Sequence, residues 1–160
     1  MGEFCHFVDW ARFVVGSPIK SVQAAALPNG TRYCQDNVSA TLRFQDGSIA
    51  NLLYLANGDK GVAKEYFEVF CEGAVARLED FRALSLTRNG KTKRTQLKPD
   101  KGHRPQLELT LEAIRSGGTA PICFQELVEV TGATFAVQEA IAKDEIVTSP
   151  VEAPALTSQD

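Results

Sequence analysis

The sequence predicts an α+β fold: a large, mostly antiparallel open sheet with helices on one face. Three observations predict it. Helical apolar spacing opens the chain at 3–15, a long run of β-type segments follows, and two helical patterns close it at 103–116 and 124–143. Strands joined to strands by short turns, rather than strands alternating with helices, mark an α+β chain.

The first helix has Phe4, Phe7, Val8, Ala11 and Val14 on its main apolar arc, the 3.6-residue spacing of a packed face. Gly16-Ser17-Pro18 ends it, because glycine caps a helix and proline cannot continue one. Trp10 and Phe13 make a second side apolar as well, which predicts a helix buried nearly all round. Glu3, His6 and Asp9 lie outside the main arc, three residues apart. An imidazole held by a carboxylate can serve as a general acid or base near neutral pH. From spacing alone a structural His6–Asp9 pair, or an acidic group near the helix start favoured by the helix dipole, is the favoured reading.

A strand is predicted at 20–27, then a turn at Asn29-Gly30. Val38, Ala40, Leu42 and Phe44 alternate with Ser39, Thr41 and Arg43, a period of two. After Asp46-Gly47 the segment 48–56 is apolar on both faces, which predicts a central strand. A loop at 57–61 leads to strands at 65–71, 74–79, 83–88 and 91–97, with turns at Glu72-Gly73 and Asn89-Gly90. Arg77, Glu79 and Asp80 are expected on an exposed sheet face, and the alternating apolar residues of these strands on a second, buried one. The closing helices carry Leu107, Leu111 and Ile114 on one side of the first. Leu127, Val130, Val137 and Ile141 are the expected core contacts of the second.

The 160 residues are 44% hydrophobic and 23% charged with a net charge of −3, enough for one substantial core. The expected organisation is one domain over 1–147 and a flexible tail over 148–160, rich in Pro, Ser, Thr, Glu and Ala. Basic residues cluster only at 88–104, so nucleic acid is not an expected partner. No apolar run reaches membrane-spanning length and no signal peptide is visible, so a cytoplasmic protein is expected. Cys5, Cys34, Cys71 and Cys123 are scattered and read as reduced, mostly buried thiols rather than a metal or disulfide framework. His6 and His103 stand far apart in the sequence, so no metal site is expected. No glycine-rich dinucleotide loop and no nucleotide-triphosphate loop is present, so no cofactor-binding residue is assigned within the chain. Asn57, Asp59, Lys60 and Lys64 are candidate contacts to a hydroxyl-rich ligand, or solvated turn residues. His103 and Arg104 open a helix, where anions are favoured; they are candidate contacts to a phosphate or carboxylate, or a simple helix start.

Gly2-Glu3-Phe4-Cys5-His6-Phe7-Val8-Asp9, with Ala11-Arg12-Phe13 and Gly16, resembles the start of the C-terminal domain of the Gfo/Idh/MocA family, relatives of glucose–fructose oxidoreductase and inositol dehydrogenase. Asp36–Phe44 through Asp46-Gly47-Ser48, and Leu111-Glu112-Ala113-Ile114-Arg115 with Gly117-Gly118, resemble later segments of that domain, so the likeness runs over about 2–147. The resemblance implies a dihydrodipicolinate-reductase-like sheet domain that binds substrate and pairs between subunits, as a homodimer or larger homo-oligomer. It implies an NAD(P)-dependent oxidoreductase acting on a sugar, sugar nucleotide or polyol secondary alcohol. NAD or NADP would be bound by an N-terminal Rossmann domain absent from this sequence, and this chain would be inactive alone. By position, His6 corresponds to the family's active-site histidine, a candidate proton acceptor, and Asp9 to a supporting acid. Many relatives have an Asp where Gly2 stands, and Glu3 is acidic one position later. A non-catalytic small-molecule or carbohydrate binding module, or a dimerisation module, is the alternative.

Overall fold

The computed structural model describes residues 3–32, 34–96, 98, 100–143 and 147–148. The element order is α1 (Phe4–Val15), β1 (Ile19–Ala26), β2 (Asn37–Phe44), β3 (Ile49–Leu55), β4 (Tyr66–Cys71), β5 (Ala74–Glu79), β6 (Ala83–Arg88), β7 (Lys91–Gln96), α2 (His103–Ser116), α3 (Phe124–Lys143) and β8 (Val147–Thr148). The α+β class and the antiparallel pairing agree with the sequence pattern. The strands form two four-stranded sheets, β3-β2-β1-β8 and β4-β5-β6-β7. The described chain divides into two compact units, 1–57 with 122–160, and 58–121. Of the expected tail, Thr148 lies in β8, opposite Ser21, and the remainder lies outside the described residues.

In the first unit α1 and α3 cover one face of the sheet. Alternation sends Val38, Ala40, Leu42 and Phe44 of β2 inward, against Val22 and Ala24 of β1 and Leu52 of β3. Phe4, Val8 and Ala11 of α1 and Val130, Ala133, Ala136, Val137 and Ala140 of α3 close this core. A register shift between Ile19 and Ser21 leaves Lys20 as an extra residue in β1. This bulge lets Ile19 and Val22, three positions apart, both point inward. Gly16 caps α1 in the left-handed region at φ 73°, donating its N–H to the Arg12 carbonyl.

Three expectations for this unit are corrected. Among the described residues β3 is an edge strand, paired with β2 alone. Its inner residue Leu52 is buried, but Ile49, Leu53 and Leu55 on the other face are exposed. A doubly apolar strand asks for cover on both faces, and α1 and α3 supply only one. Likewise α1 is not buried all round: Val14 is exposed and Phe13 is 82% exposed. On α3, Leu127 is exposed, whereas Val130 and Val137 are buried and Ile141 is half-buried.

In the second unit β4–β7 form a meander of tight hairpins. The Glu72-Gly73 and Asn89-Gly90 turns have positive φ at both residues, the mirror-image turn that matches strand twist. The turn between β5 and β6 has the same geometry without glycine, with Asp80 at φ 48° and Phe81 at φ 53°. Its Arg82 N–H donates to the Glu79 carbonyl at 2.8 Å, and Asp80 N–H to the Glu65 carbonyl at 2.7 Å. The Phe81 ring meets Phe67 edge-on, 5.7 Å between centroids.

The pairing register sorts this sheet into two faces. Phe67, Leu78 and Leu84 lie in one row and Val69, Ala76 and Leu86 in the next, giving an apolar face. The other carries Glu68, Arg77, Ser85 and Arg94 in one row. Arg77 pairs with Glu68, and Arg94 with Glu79 at 2.8 Å. The Glu68 carboxylate raises the pKa of the Arg77 guanidinium above its usual value. α2 has no buried residue, and Leu107, Leu111 and Ile114 are exposed.

Candidate functional site

Glu3, His6 and Asp9 occupy the start and first turns of α1. Glu3 is the N-cap residue, and its carbonyl accepts the His6 N–H at 3.2 Å. All three side chains are exposed. Neither His6 nor Asp9 makes a side-chain hydrogen bond or ion pair among the described residues. The His6–Asp9 structural pair that the spacing allowed is therefore not formed. Trp10, half-buried, and Phe13, exposed, follow four and seven residues after His6, so they share its side of the helix. The result is a titratable group on a surface with aromatic flanks, carried by a helix whose opposite side is locked in the core.

The lock includes a charge cluster that the sequence reading left unassigned. Arg12 is 9% exposed and Glu129 6% exposed. Arg12 Nε donates to Glu129 Oε2 at 3.1 Å, and its terminal nitrogen lies 3.3 Å from Glu126 Oε1. The second oxygen of Glu129 accepts the Ile19 backbone N–H. One buried carboxylate thus joins α1, α3 and the start of β1. A signal was available: Arg12 is four residues from buried Val8, and Glu129 four from buried Ala133. Opposite charges stood on the apolar stripes of two helices, and a buried charge needs a partner.

The loop candidates are exposed and variously engaged. Asn57 N–H donates to Oδ1 of buried Asn37 at 3.0 Å, which fixes the start of the loop. Asp59 Oδ1 accepts the Gly61 N–H at 2.7 Å and its carbonyl the Val62 N–H at 3.2 Å, a self-bonded turn. Lys60 is exposed, and Lys64 is exposed and engaged with a neighbour. His103 is the exposed first residue of α2, and Arg104 pairs with Glu108 at 2.7 Å.

Within the second unit the structure brings two of these segments together. Lys101 Nζ lies 3.0 Å from Glu65 Oε1 and 5.5 Å from the centre of the Phe81 ring. The end of the 57–64 loop and the start of α2 therefore meet around Lys101, which precedes His103 and Arg104 at the helix start. His6, Asp9 and Glu3 belong to the first unit with Asn57; Asp59, Lys60, Lys64, His103 and Arg104 belong to the second.

The thiols are free, but only Cys5 is half-buried; Cys34, Cys71 and Cys123 are exposed. This corrects the expectation of buried thiols: these three sit in loops or near a strand end, where no core forms around them. Among the described residues no group of three or more His, Cys, Asp or Glu could hold a metal ion. None of their helices is long and apolar enough to cross a membrane. No described helix begins on a glycine-rich turn leading out of a strand; α2, the one that follows β7, starts behind a single glycine, Gly102. The residues present do not fit a dinucleotide cradle.

Comparison with known proteins adds the following. Residues 2–77 match the model of the GFO/IDH/MocA C-terminal domain family. No curated protein matches by sequence. Solved structures match in fold at low identity. One is a UDP-N-acetylglucosamine 3-dehydrogenase from Acidithiobacillus ferrooxidans, at TM-score 0.75 and 18% identity, over 88% of this chain and 46% of that one. Another is an aldose–aldose oxidoreductase from Caulobacter crescentus complexed with glycerol, at 0.77 and 15%, over 91% and 45%. A third is a levoglucosan dehydrogenase in complex with NADH and levoglucosan, at 0.77 and 19%, over 92% and 49%. The chain spans about half the length of these structures.

Proposed function

We propose that this chain, which belongs to the GFO/IDH/MocA family as a C-terminal domain, is the substrate-binding half of an NAD(P)-dependent oxidoreductase. Its substrate would be a secondary alcohol of a sugar, sugar nucleotide or polyol. The observation that carries the reading is His6: exposed, without a side-chain partner, beside Trp10 and Phe13 on a helix whose other face is locked in the core.

Oxidation of a secondary alcohol removes a hydride from carbon and a proton from oxygen. The redox chemistry would belong to a dinucleotide carried outside this chain. His6 would take the hydroxyl proton on an imidazole nitrogen. Asp9, one turn on, would support the charged imidazole, and Glu3 is the second acid within reach of that role. Asn57, of the same unit, would supply a contact to a polyhydroxylated ligand; within the second unit Asp59, Lys60, Lys64, His103 and Arg104 would contact a hydroxyl-rich or anionic group.

A second role, homodimerisation, is favoured by the sheet β4–β7. Leu84 and Leu86 are exposed on its apolar face beside half-buried Phe67, Val69 and Leu78, a surface of the kind that marks an interface.

The test uses the full-length protein that carries these residues, assayed by NAD(P)H absorbance with sugar nucleotides, aldoses and polyols. Turnover of one of these classes is expected. A full reading frame without a dinucleotide-binding half would overturn the oxidoreductase reading and leave a binding or dimerisation module.

A further inference from the structure

We infer that Arg12 is a positioning residue for His6, acting through the rotation of α1. The inference rests on the proposed role of His6. The fully buried apolar contacts of α1 are Phe4, Val8 and Ala11, with Phe7, Trp10 and Val15 packed partly buried beside them, and hydrophobic contact is non-directional. Such a face holds a helix down, and a hydrogen-bonded contact of fixed direction adds resistance to rotation about its axis.

The Arg12 cluster is directional. The guanidinium is a planar fork, and it bridges Glu126 and Glu129, one turn apart on α3. Glu129 in turn holds the Ile19 N–H, three residues beyond the Gly16 cap of α1. Any rotation of α1 therefore stretches two contacts to α3 at once, one of them to a carboxylate that β1 also holds.

His6 lies six residues before Arg12, about 9 Å along the axis at 1.5 Å per residue. A side chain about 5.5 Å from the axis moves about 2 Å when the helix turns by about 20°. Displacements of about 1 Å at a reacting group can cost about a hundredfold in rate. The clamp thus acts on the quantity to which proton transfer is most sensitive.

Arg12→Met alone leaves Glu129 charged and buried, so it does not separate folding from positioning. The informative variant is Arg12→Met with Glu129→Gln. Glutamine keeps an oxygen for the Ile19 N–H, and the one charge left without its partner, Glu126, has its side chain 43% exposed. The readout is the set of backbone residual dipolar couplings of the 160-residue chain, measured with its thermal midpoint. The expected result is a midpoint close to that of the unaltered chain. The β1–β3 couplings should fit the original orientation, and those of residues 4–15 should shift or average toward zero. Arg12→Lys, which keeps the charge but not the fork, should keep the midpoint and not the α1 couplings. Unchanged α1 couplings in the folded double variant would overturn the inference. So would retention of couplings and midpoint together in Arg12→Lys, which would make the cluster merely structural. Both outcomes are independent of catalysis, so failure of the His6 assignment would be seen separately, in turnover.

Discussion

Arg12 and Glu129 lie 117 positions apart in the sequence and 3.1 Å apart in the structure, both almost wholly buried. Removing one partner leaves a charge in the core, which costs about 3–5 kcal/mol in known cases. Glu129→Ala also orphans the Ile19 N–H. A loss of about 3 kcal/mol or more in chemical denaturation is expected. A loss below about 1 kcal/mol would mean that water reaches the site.

The buried face of α3 and the exposed face of α2 should respond oppositely to truncation. Val137 is fully buried, and deleting its methyl groups removes packed volume, so Val137→Ala should cost about 1–3 kcal/mol. Ile114 is 72% exposed, and Ile114→Ala should stay within about 0.5 kcal/mol. A large effect at Ile114, measured in the same denaturation series, would mean that α2 is covered in solution.

Gly90 adopts φ +71° and has open space where a Cβ would stand. Gly90→Ala therefore carries only the backbone cost of a left-handed L-residue, about 1 kcal/mol. Urea denaturation checks it. No loss would mean that the β6–β7 turn relaxes to another geometry.

Three of the four thiols, Cys34, Cys71 and Cys123, are exposed, and Cys5 is half-buried. A colorimetric thiol reagent added to the native chain should consume three groups quickly and the fourth slowly. A single fast thiol would contradict the described surface.

Much of the fold was legible because its determinants are local. The Gly16 cap, the Glu72-Gly73 and Asn89-Gly90 turns and the alternation in β2 set element boundaries within a residue or two. What was not legible depends on coverage. The doubly apolar pattern of β3 predicts a central strand, but pattern reports what a strand would bury, not what stands beside it. Phe13 follows the same logic on α1. Burial of the cysteines failed because a small apolar side chain carries no periodic signal of its own. The Arg12–Glu129 pair was hidden by separation in sequence, although each residue stood out on its own apolar stripe. At the site, helical spacing left His6 and Asp9 open between a structural pair and a reactive one. The geometry removed the pair, because neither side chain has a partner among the described residues.

Proton transfer from substrate to His6 is checked by kcat of the full-length protein carrying His6→Ala. Loss of a general base lowers the chemical step by about 10²–10⁴-fold. A fall in that range is expected, with KM changed by about a few-fold at most and a smaller loss in Asp9→Asn. An unchanged kcat in His6→Ala would contradict it.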